Sequence, residues 1–117
     1  IYRNNKWDLP KGKIEKKEII LKAAMREVSE ETGVLNLIVS KPLPTTYHIY
    51  NANGRYKLKL THWFFMKTKY ALPLIPQMDE NIQKAEWKTI DEIPDLFENA
   101  YENIKIVVNA VVGEQTI

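Results

Sequence analysis

The sequence predicts a single α+β domain, and three patterns support this prediction. Apolar residues recur at helical spacing from about Glu18 to Thr32, and Gly33 stands where a left-handed helix cap is expected. Asn53-Gly54 lies between two β-prone runs, which is a strong signal for a β-hairpin. An apolar stripe predicts a final helix from Asn103 to Val112. The 117 residues are enough for one hydrophobic core, so we expect residues 1–117 to form one domain.

The segment before the first helix is expected to hold a strand end, a turn and a loop. Ile1 to Arg3 has the composition of a strand end, and Asn4-Asn5 is a turn signal. Trp7 to Gly12 is expected to be a loop, because Pro10 and Gly12 punctuate it. Since the chain starts within a strand, we expect that an N-terminal strand of the domain precedes Ile1 and is missing from this sequence.

Strands and a short helix are predicted after the first helix. The predicted strands are Val34 to Ser40, Thr45 to Tyr50, Tyr56 to Thr68 and Ala85 to Lys88. In the third of these, alternation places Leu58 on one face and Lys57 on the other. Asp91 is a candidate N-cap for a short helix that has Pro94 in its first turn.

Composition excludes several classes of function. The formal net charge is +2, which is too small to argue for nucleic acid or a membrane surface as a partner. The chain contains no cysteine, so disulfides, zinc–thiolate sites and thiol nucleophiles are excluded. No apolar run approaches the roughly 20 residues of a membrane span, and no signal peptide is visible. We therefore expect a cytoplasmic protein that acts on a small molecule, with a homodimer left open.

Three carboxylates form one patch on the first predicted helix. Residues three and four apart are neighbours on a helix, so Glu27, Glu30 and Glu31 project together, and their like charges destabilise the helix. A bound divalent cation would reverse that cost, because Mg²⁺ prefers carboxylate, phosphate and water oxygens. The alternative is an ordinary solvated face, with Arg26 and Glu30 as an i,i+4 ion pair.

The context of this patch favours the functional interpretation. From Gly12 to Val34 the sequence fills every specified position of G-x5-E-x7-R-E-U-x-E-E-x-G-U, where U is a bulky aliphatic residue. It resembles the Nudix box, and Trp7 to Lys13 resembles the usual lead-in to that box. The resemblance implies an α/β/α sandwich around a mixed sheet. It also implies a Mg²⁺- or Mn²⁺-dependent hydrolase that cleaves a nucleoside diphosphate linked to another moiety.

The resemblance also implies roles for individual residues. Glu27, Glu30 and Glu31 would be metal ligands, and the carbonyl of Lys11 or Gly12 would add another. Glu18 and Arg26 would form a pair that ties the loop to the helix. A carboxylate near the metal would take a proton from the attacking water, with Glu30 as the first choice and Glu80 as the second.

Substrate contacts are expected from basic and aromatic residues. The candidates for phosphate contact are Arg3, Lys11, Lys13 and Lys57 or Lys59, and those for stacking on a base include Trp7, Tyr47 and Tyr50. A tyrosine shortly after the box resembles the subgroup that acts on dinucleoside polyphosphates, which is the expected substrate class. The alternatives are oxidised nucleoside triphosphates, ADP-ribose, diphosphoinositol polyphosphates, or a regulatory domain that senses a nucleotide without cleaving it.

Overall fold

The computed structural model describes residues 1–115. Its strands are β1 (Tyr2–Arg3), β2 (Lys6–Trp7), β3 (Ile38–Pro42), β4 (Thr46–Ala52), β5 (Arg55–Thr61) and β6 (Phe64–Lys67). Its α-helices are α1 (Ile20–Thr32), α2 (Ile93–Phe97) and α3 (Glu102–Gln115), and single 3₁₀ turns lie at Met78–Glu80 and Ile90–Glu92. Within residues 1–115 the strands pair antiparallel as β1–β2, β3–β6 and β4–β5. This mixture of helices and strands confirms the predicted α+β class.

Two tight turns form where the asparagine signals predicted them. Asn4 and Asn5 have φ angles of 55° and 62°, which close the β1–β2 hairpin. Asn53 and Gly54 have φ angles of 54° and 80°, and the Gly54 amide donates to the Asn51 side chain at 3.0 Å. Two successive residues at positive φ give a turn whose twist matches that of the flanking strands. The β4–β5 hairpin therefore keeps an unbroken register from Thr46↔Thr61 to Ala52↔Arg55.

The predicted strand from Tyr56 to Thr68 is wrong as one element, because it divides at His62 and Trp63 into β5 and β6. The first part pairs with β4 and the second with β3. Trp63 is buried at the division, where its indole N–H donates to the Thr46 hydroxyl at 2.8 Å. Burial of this large side chain therefore competes with continuation of the ladder. The strand predicted from Val34 begins later, at Ile38.

Helix α1 ends as predicted but starts two residues later, at Ile20. Gly33 has a φ of 79°, and its N–H donates to the Ser29 carbonyl at 2.8 Å, which closes the last turn. Ala23 is the buried apolar residue of the helix, whereas Leu21 remains 36% exposed.

In the last third of the chain, the predicted strand and the predicted helix cap are both wrong. Instead of a strand at Ala85–Lys88, there is a single bridge between Tyr2 and Lys84. Thr89, rather than Asp91, caps the next turn, and its partner in the capping box is Glu92. Pro94 lies in the first turn of α2, as expected.

The core forms around the inner face of α3. Ile104 and Val107 pack there with Trp63, and Leu9, Leu43 and Val108 pack against this cluster. A parallel bridge between Trp7 and Ala100 ties the first hairpin to the start of this region. Among the described residues, no helix is long and apolar enough to span a bilayer.

Candidate active site

A cavity of about 950 Å³ lies beside α1 and reaches the inner end of the β4–β5 hairpin. This volume is at the upper end of the range of small-molecule sites. The predicted side chains that line it are Arg3, Lys11, Lys13, Glu27, Glu30, Glu31, Lys59 and Glu80. Those that lie outside its lining are Trp7, Glu18, Arg26, Tyr47, Tyr50 and Lys57.

The loop before α1 lies directly against two of the box carboxylates. The backbone N–H of Lys11 donates to Oε2 of Glu31 at 3.1 Å. Gly12 approaches Glu27 so closely that a Cβ at position 12 would overlap the Glu27 carboxyl group. Glycine therefore permits this close approach without displacing the Glu27 carboxyl group, and the backbone of residues 11 and 12 is held beside both acids.

Arg26 holds the acidic patch together. Its guanidinium is 2.8 Å from Oε2 of Glu18, 2.7 Å from Oε1 of Glu27 and 3.1 Å from Oε2 of Glu30. It also donates to the Lys13 carbonyl at 3.0 Å, so it joins loop and helix as the box implied. The hydrogen bonds from Arg26 lower the pKa of the Glu18 carboxyl group to about 2. One cation thus offsets the repulsion among several carboxylates.

Glu31 is the most deeply buried acid of the patch, with 2% of its surface exposed. Burial raises its pKa, because removal from water disfavours the charged form. Arg3 opposes this from 3.8 Å, so this predicted phosphate contact is already engaged by Glu31. Arg3 also approaches the buried Asp8 at 4.0 Å.

Asp8 is a structural residue of the site that sequence reasoning missed. Its Oδ1 accepts the Leu9 N–H at 2.7 Å, and its Oδ2 accepts from Nζ of Lys11 at 2.9 Å. These contacts fix the loop that meets Glu31. The i,i+3 spacing of Asp8 and Lys11 was the available signal, although such spacing is common in loops.

The candidate ligand atoms are oxygens, the type that a hard divalent cation prefers. Glu27, Glu30 and Glu31 supply carboxylate oxygens on one side of α1, and the backbone of Lys11 and Gly12 lies against Glu31 and Glu27. Within residues 1–115, no three acidic or histidine side chains already converge as a metal cluster. Two of the three box carboxylates, Glu27 and Glu30, instead form ion pairs with Arg26.

The predicted aromatic contacts have different surroundings. Trp7 packs edge-on against Tyr2, with ring centroids 5.1 Å apart, and Lys88 lies 4.8 Å over its ring. Trp7 therefore belongs to the packing of the first hairpin. Tyr47 and Tyr50 are both exposed on β4, but their positions differ by three residues, so they point to opposite faces of the hairpin.

Charge is strongly segregated along the chain. Between Gly33 and Met78 there is no aspartate or glutamate, while six of the 17 lysines and arginines lie there. The rest of the chain therefore carries 11 basic residues against all 15 acidic ones. A small net charge thus conceals a basic middle segment and an acidic remainder, and both contribute residues to the cavity.

Comparison with known proteins identifies the family. The NUDIX domain matches residues 1–109. An RNA pyrophosphohydrolase of Erythrobacter litoralis (strain HTCC2594) is 31% identical over 103 residues, covering 77% of this chain and 63% of that protein. An RNA pyrophosphohydrolase of Pelagibacter ubique (strain HTCC1062) is 28% identical over 125 residues, covering 92% and 79%. The putative mutator protein MutT4 of Mycobacterium tuberculosis (strain CDC 1551 / Oshkosh) is 33% identical over 90 residues, covering 75% and 34%.

The chain thus spans less than two thirds of the first and third of these relatives. The domain match nevertheless extends over most of the chain and includes the whole segment from Gly12 to Val34. This chain therefore belongs to the Nudix family, and the predicted α+β Nudix fold is confirmed with it.

Proposed function

We propose that this protein is a divalent-metal-dependent hydrolase of phosphoanhydride bonds. The observation that carries the proposal is the seating of the Lys11–Gly12 backbone against Glu27 and Glu31 at the edge of a substrate-sized cavity. This arrangement gathers oxygen donors of the kind that Mg²⁺ or Mn²⁺ binds. Glu27, Glu30 and Glu31 are the proposed ligands.

The residues of the chain have separable tasks in this mechanism. A bound divalent cation neutralises phosphate charge and acidifies an attacking water. Lys13 is exposed and lines the cavity, which supports it as a phosphate contact. Nζ of Lys11 is bound to Asp8, so Lys11 acts chiefly through its backbone. Arg26 and Glu18 orient the helix and loop rather than contact substrate, because both lie outside the cavity lining.

Two carboxylates compete for the role of general base. Glu30 lines the cavity but accepts a hydrogen bond from Arg26 at 3.1 Å. Glu80 also lines the cavity, at the end of the turn Met78–Glu80. Among the contacts of the described residues, the Glu80 side chain has no ion pair or hydrogen bond. The geometry thus leaves Glu80 the more available proton acceptor and Glu30 the better-fixed ligand.

The first proposed substrate is a dinucleoside polyphosphate. The wider proposed class is nucleotides that contain a phosphoanhydride bond. The second candidate is the 5′-terminal anhydride of an RNA, because two relatives are named RNA pyrophosphohydrolases. The small net charge does not argue against an RNA substrate, since the segment from Gly33 to Met78 carries six basic residues and no acidic ones. The cytoplasmic location and the homodimer stay predictions.

Turnover of a substrate panel in Mg²⁺ or Mn²⁺, with products identified by mass, tests this function. Glu30→Gln should lower kcat by about 100-fold or more, because a ligand charge or a base is lost. Glu98→Gln, an exposed glutamate of the α2 terminus outside the cavity lining, is the matched control and should be unaffected. Wild-type protein that binds nucleotide without product formation would instead indicate a sensing domain. Normal turnover in Glu30→Gln, Glu27→Gln and Glu31→Gln would refute the proposed site.

A further inference from the structure

The β4–β5 hairpin has two chemically distinct faces. His48 lies opposite Lys59, and Tyr50 lies opposite Lys57 in the antiparallel register. Residues directly opposite in such a ladder share a face, so these four side chains form one surface, with Arg55 at its outer end. All five side chains are exposed. We call this surface, made of His48, Tyr50, Arg55, Lys57 and Lys59, the basic face.

The other face of the hairpin is apolar. It pairs Tyr47 with Leu60, Ile49 with Leu58, and Asn51 with Tyr56. Asn103 of α3 donates to the Tyr47 carbonyl at 2.9 Å, and Tyr101 and Glu102 line a cavity together with residues of this face. The apolar face is thus adjacent to the start of α3. At the inner end of β5, Leu60 of the apolar face and Lys59 of the basic face both line the candidate active-site cavity.

Both faces of the hairpin reach the cavity along β5. Lys59 and Thr61, two residues apart and therefore on one face, line the same cavity as Glu27, Glu30 and Glu31, and so does Leu60 from the other face. Tyr50 and Lys57 lie further out and do not line it. From Lys59 to Arg55 the strand extends four residues, which is about 13 Å. The basic face is therefore a track that leads out of the cavity.

The composition of this track suits a polyanion that carries rings. The segment from Gly33 to Met78 has no acidic residue to repel phosphates. The rings of His48 and Tyr50 are nearly parallel, with an angle of 5° between their planes and their centroids 6.3 Å apart. Both side chains are exposed. Exposed parallel rings beside lysines are the elements with which proteins bind single-stranded nucleic acids, by stacking bases and neutralising the backbone.

We propose that the basic face binds the nucleotides of a single-stranded RNA whose 5′ end enters the cavity. This inference rests on the proposed anhydride hydrolase and selects RNA as its substrate class. A mononucleotide held in the cavity would not reach Tyr50 or Lys57, because neither lines it. An acidic protein would use the lysines but would leave the parallel rings without a stacking partner. The combination of lysines and parallel rings therefore favours a nucleic-acid strand.

Fluorescence anisotropy with a labelled single-stranded RNA of about eight nucleotides tests the proposal. The RNA carries a 5′-hydroxyl, so binding is measured without hydrolysis. Tyr50→Ala should weaken binding by about 5- to 150-fold, the range for one stacked base. Tyr56→Ala, an 80% exposed tyrosine on the opposite face of the same hairpin, is the matched control and should bind like the wild type.

A charge-matched pair of double variants tests the electrostatic part. Lys57→Gln/Lys59→Gln should reduce the slope of log K against log salt by about 1.4, since each phosphate contact to a single strand contributes about 0.7. Lys67→Gln/Lys69→Gln removes two exposed lysines from the same acid-free segment but away from the hairpin. It should leave the slope nearly unchanged.

The outcomes separate this inference from the proposed function. RNA binding that depends on Tyr50, Lys57 and Lys59 supports the track even if no anhydride is cleaved, in which case the hydrolase proposal alone fails. Hydrolysis of nucleotides without detectable RNA binding overturns the track alone. Equal losses in Tyr50→Ala and Tyr56→Ala, or equal slopes in the two lysine variants, overturn it as well. Binding of an acidic peptide in preference to the RNA would replace it with a protein surface.

Discussion

Gly12→Ala tests whether the close approach of the loop to Glu27 matters for catalysis. A Cβ at position 12 would overlap the Glu27 carboxyl group, and that group moves because it ends a flexible side chain. Moving it costs about 0.5–1.5 kcal/mol if a torsion leaves its rotamer. Loss of its 2.7 Å pair with Arg26 adds about 0.2–1 kcal/mol. We therefore expect the free energy of unfolding to fall by only about 0.7–2.5 kcal/mol.

Activity should fall much further than stability in Gly12→Ala. The displaced carboxylate is a proposed metal ligand, and a misplacement of about 1 Å in a catalytic site costs about 100-fold in rate. Urea unfolding, kcat/KM and calorimetric Mn²⁺ affinity should be measured on the same preparation. Gly113→Ala is the matched control, because a Cβ there meets nothing within 4 Å. It should stabilise α3 by roughly 0.5–1 kcal/mol and leave kcat/KM unchanged.

Two results would refute this reasoning about Gly12. Wild-type kcat/KM and Mn²⁺ affinity in Gly12→Ala would show that the position of the Glu27 carboxylate does not limit catalysis. A loss of stability of more than about 4 kcal/mol, beyond what one side-chain adjustment costs, would show that the backbone moves instead.

Further predictions concern an ion pair and a buried hydrogen bond. Glu18 should titrate near pH 2 by NMR, and Arg26→Gln should bring its pKa back towards 4.5. Because the folded-state pKa is lowered, its contribution to stability is present above about pH 4.5 and is lost as the pH falls towards 2. An unchanged Glu18 pKa in Arg26→Gln would contradict this. Thr46→Val should destabilise by about 1–3 kcal/mol, since the buried Trp63 N–H loses its acceptor, whereas Thr46→Ser retains it. Equal unfolding midpoints for both Thr46 variants would contradict that account.

The acidic patch was predictable from sequence because its geometry is local. Residues three and four apart on one helix are neighbours whatever the rest of the fold does. Gly33 likewise ends α1 as expected, because a left-handed cap depends on the residue itself. The two asparagine turns belong to the same class. All three features are set by the nearest few residues.

Features decided by distant contacts were not predictable in the same way. The division between β5 and β6 depends on Trp63, whose acceptor Thr46 is 17 residues away. A bridge from Tyr2 replaces the strand expected at Ala85–Lys88. In each case the competing partner lies outside any local window of sequence.

Net charge alone does not predict which ligand a site binds, for a physical reason. Screening limits the reach of an exposed charge to about 8 Å at physiological ionic strength, so a ligand responds to the charges beside it and not to their sum. Here the carboxylates of α1 and Lys59 of β5 line the same cavity. An anionic substrate alone is repelled by the first group and attracted by the second. A cation held by the carboxylates would remove the repulsion, so metal dependence and preference for a polyanion should appear together. RNA affinity that is insensitive to salt, or turnover that is insensitive to chelator, would separate them and contradict this coupling.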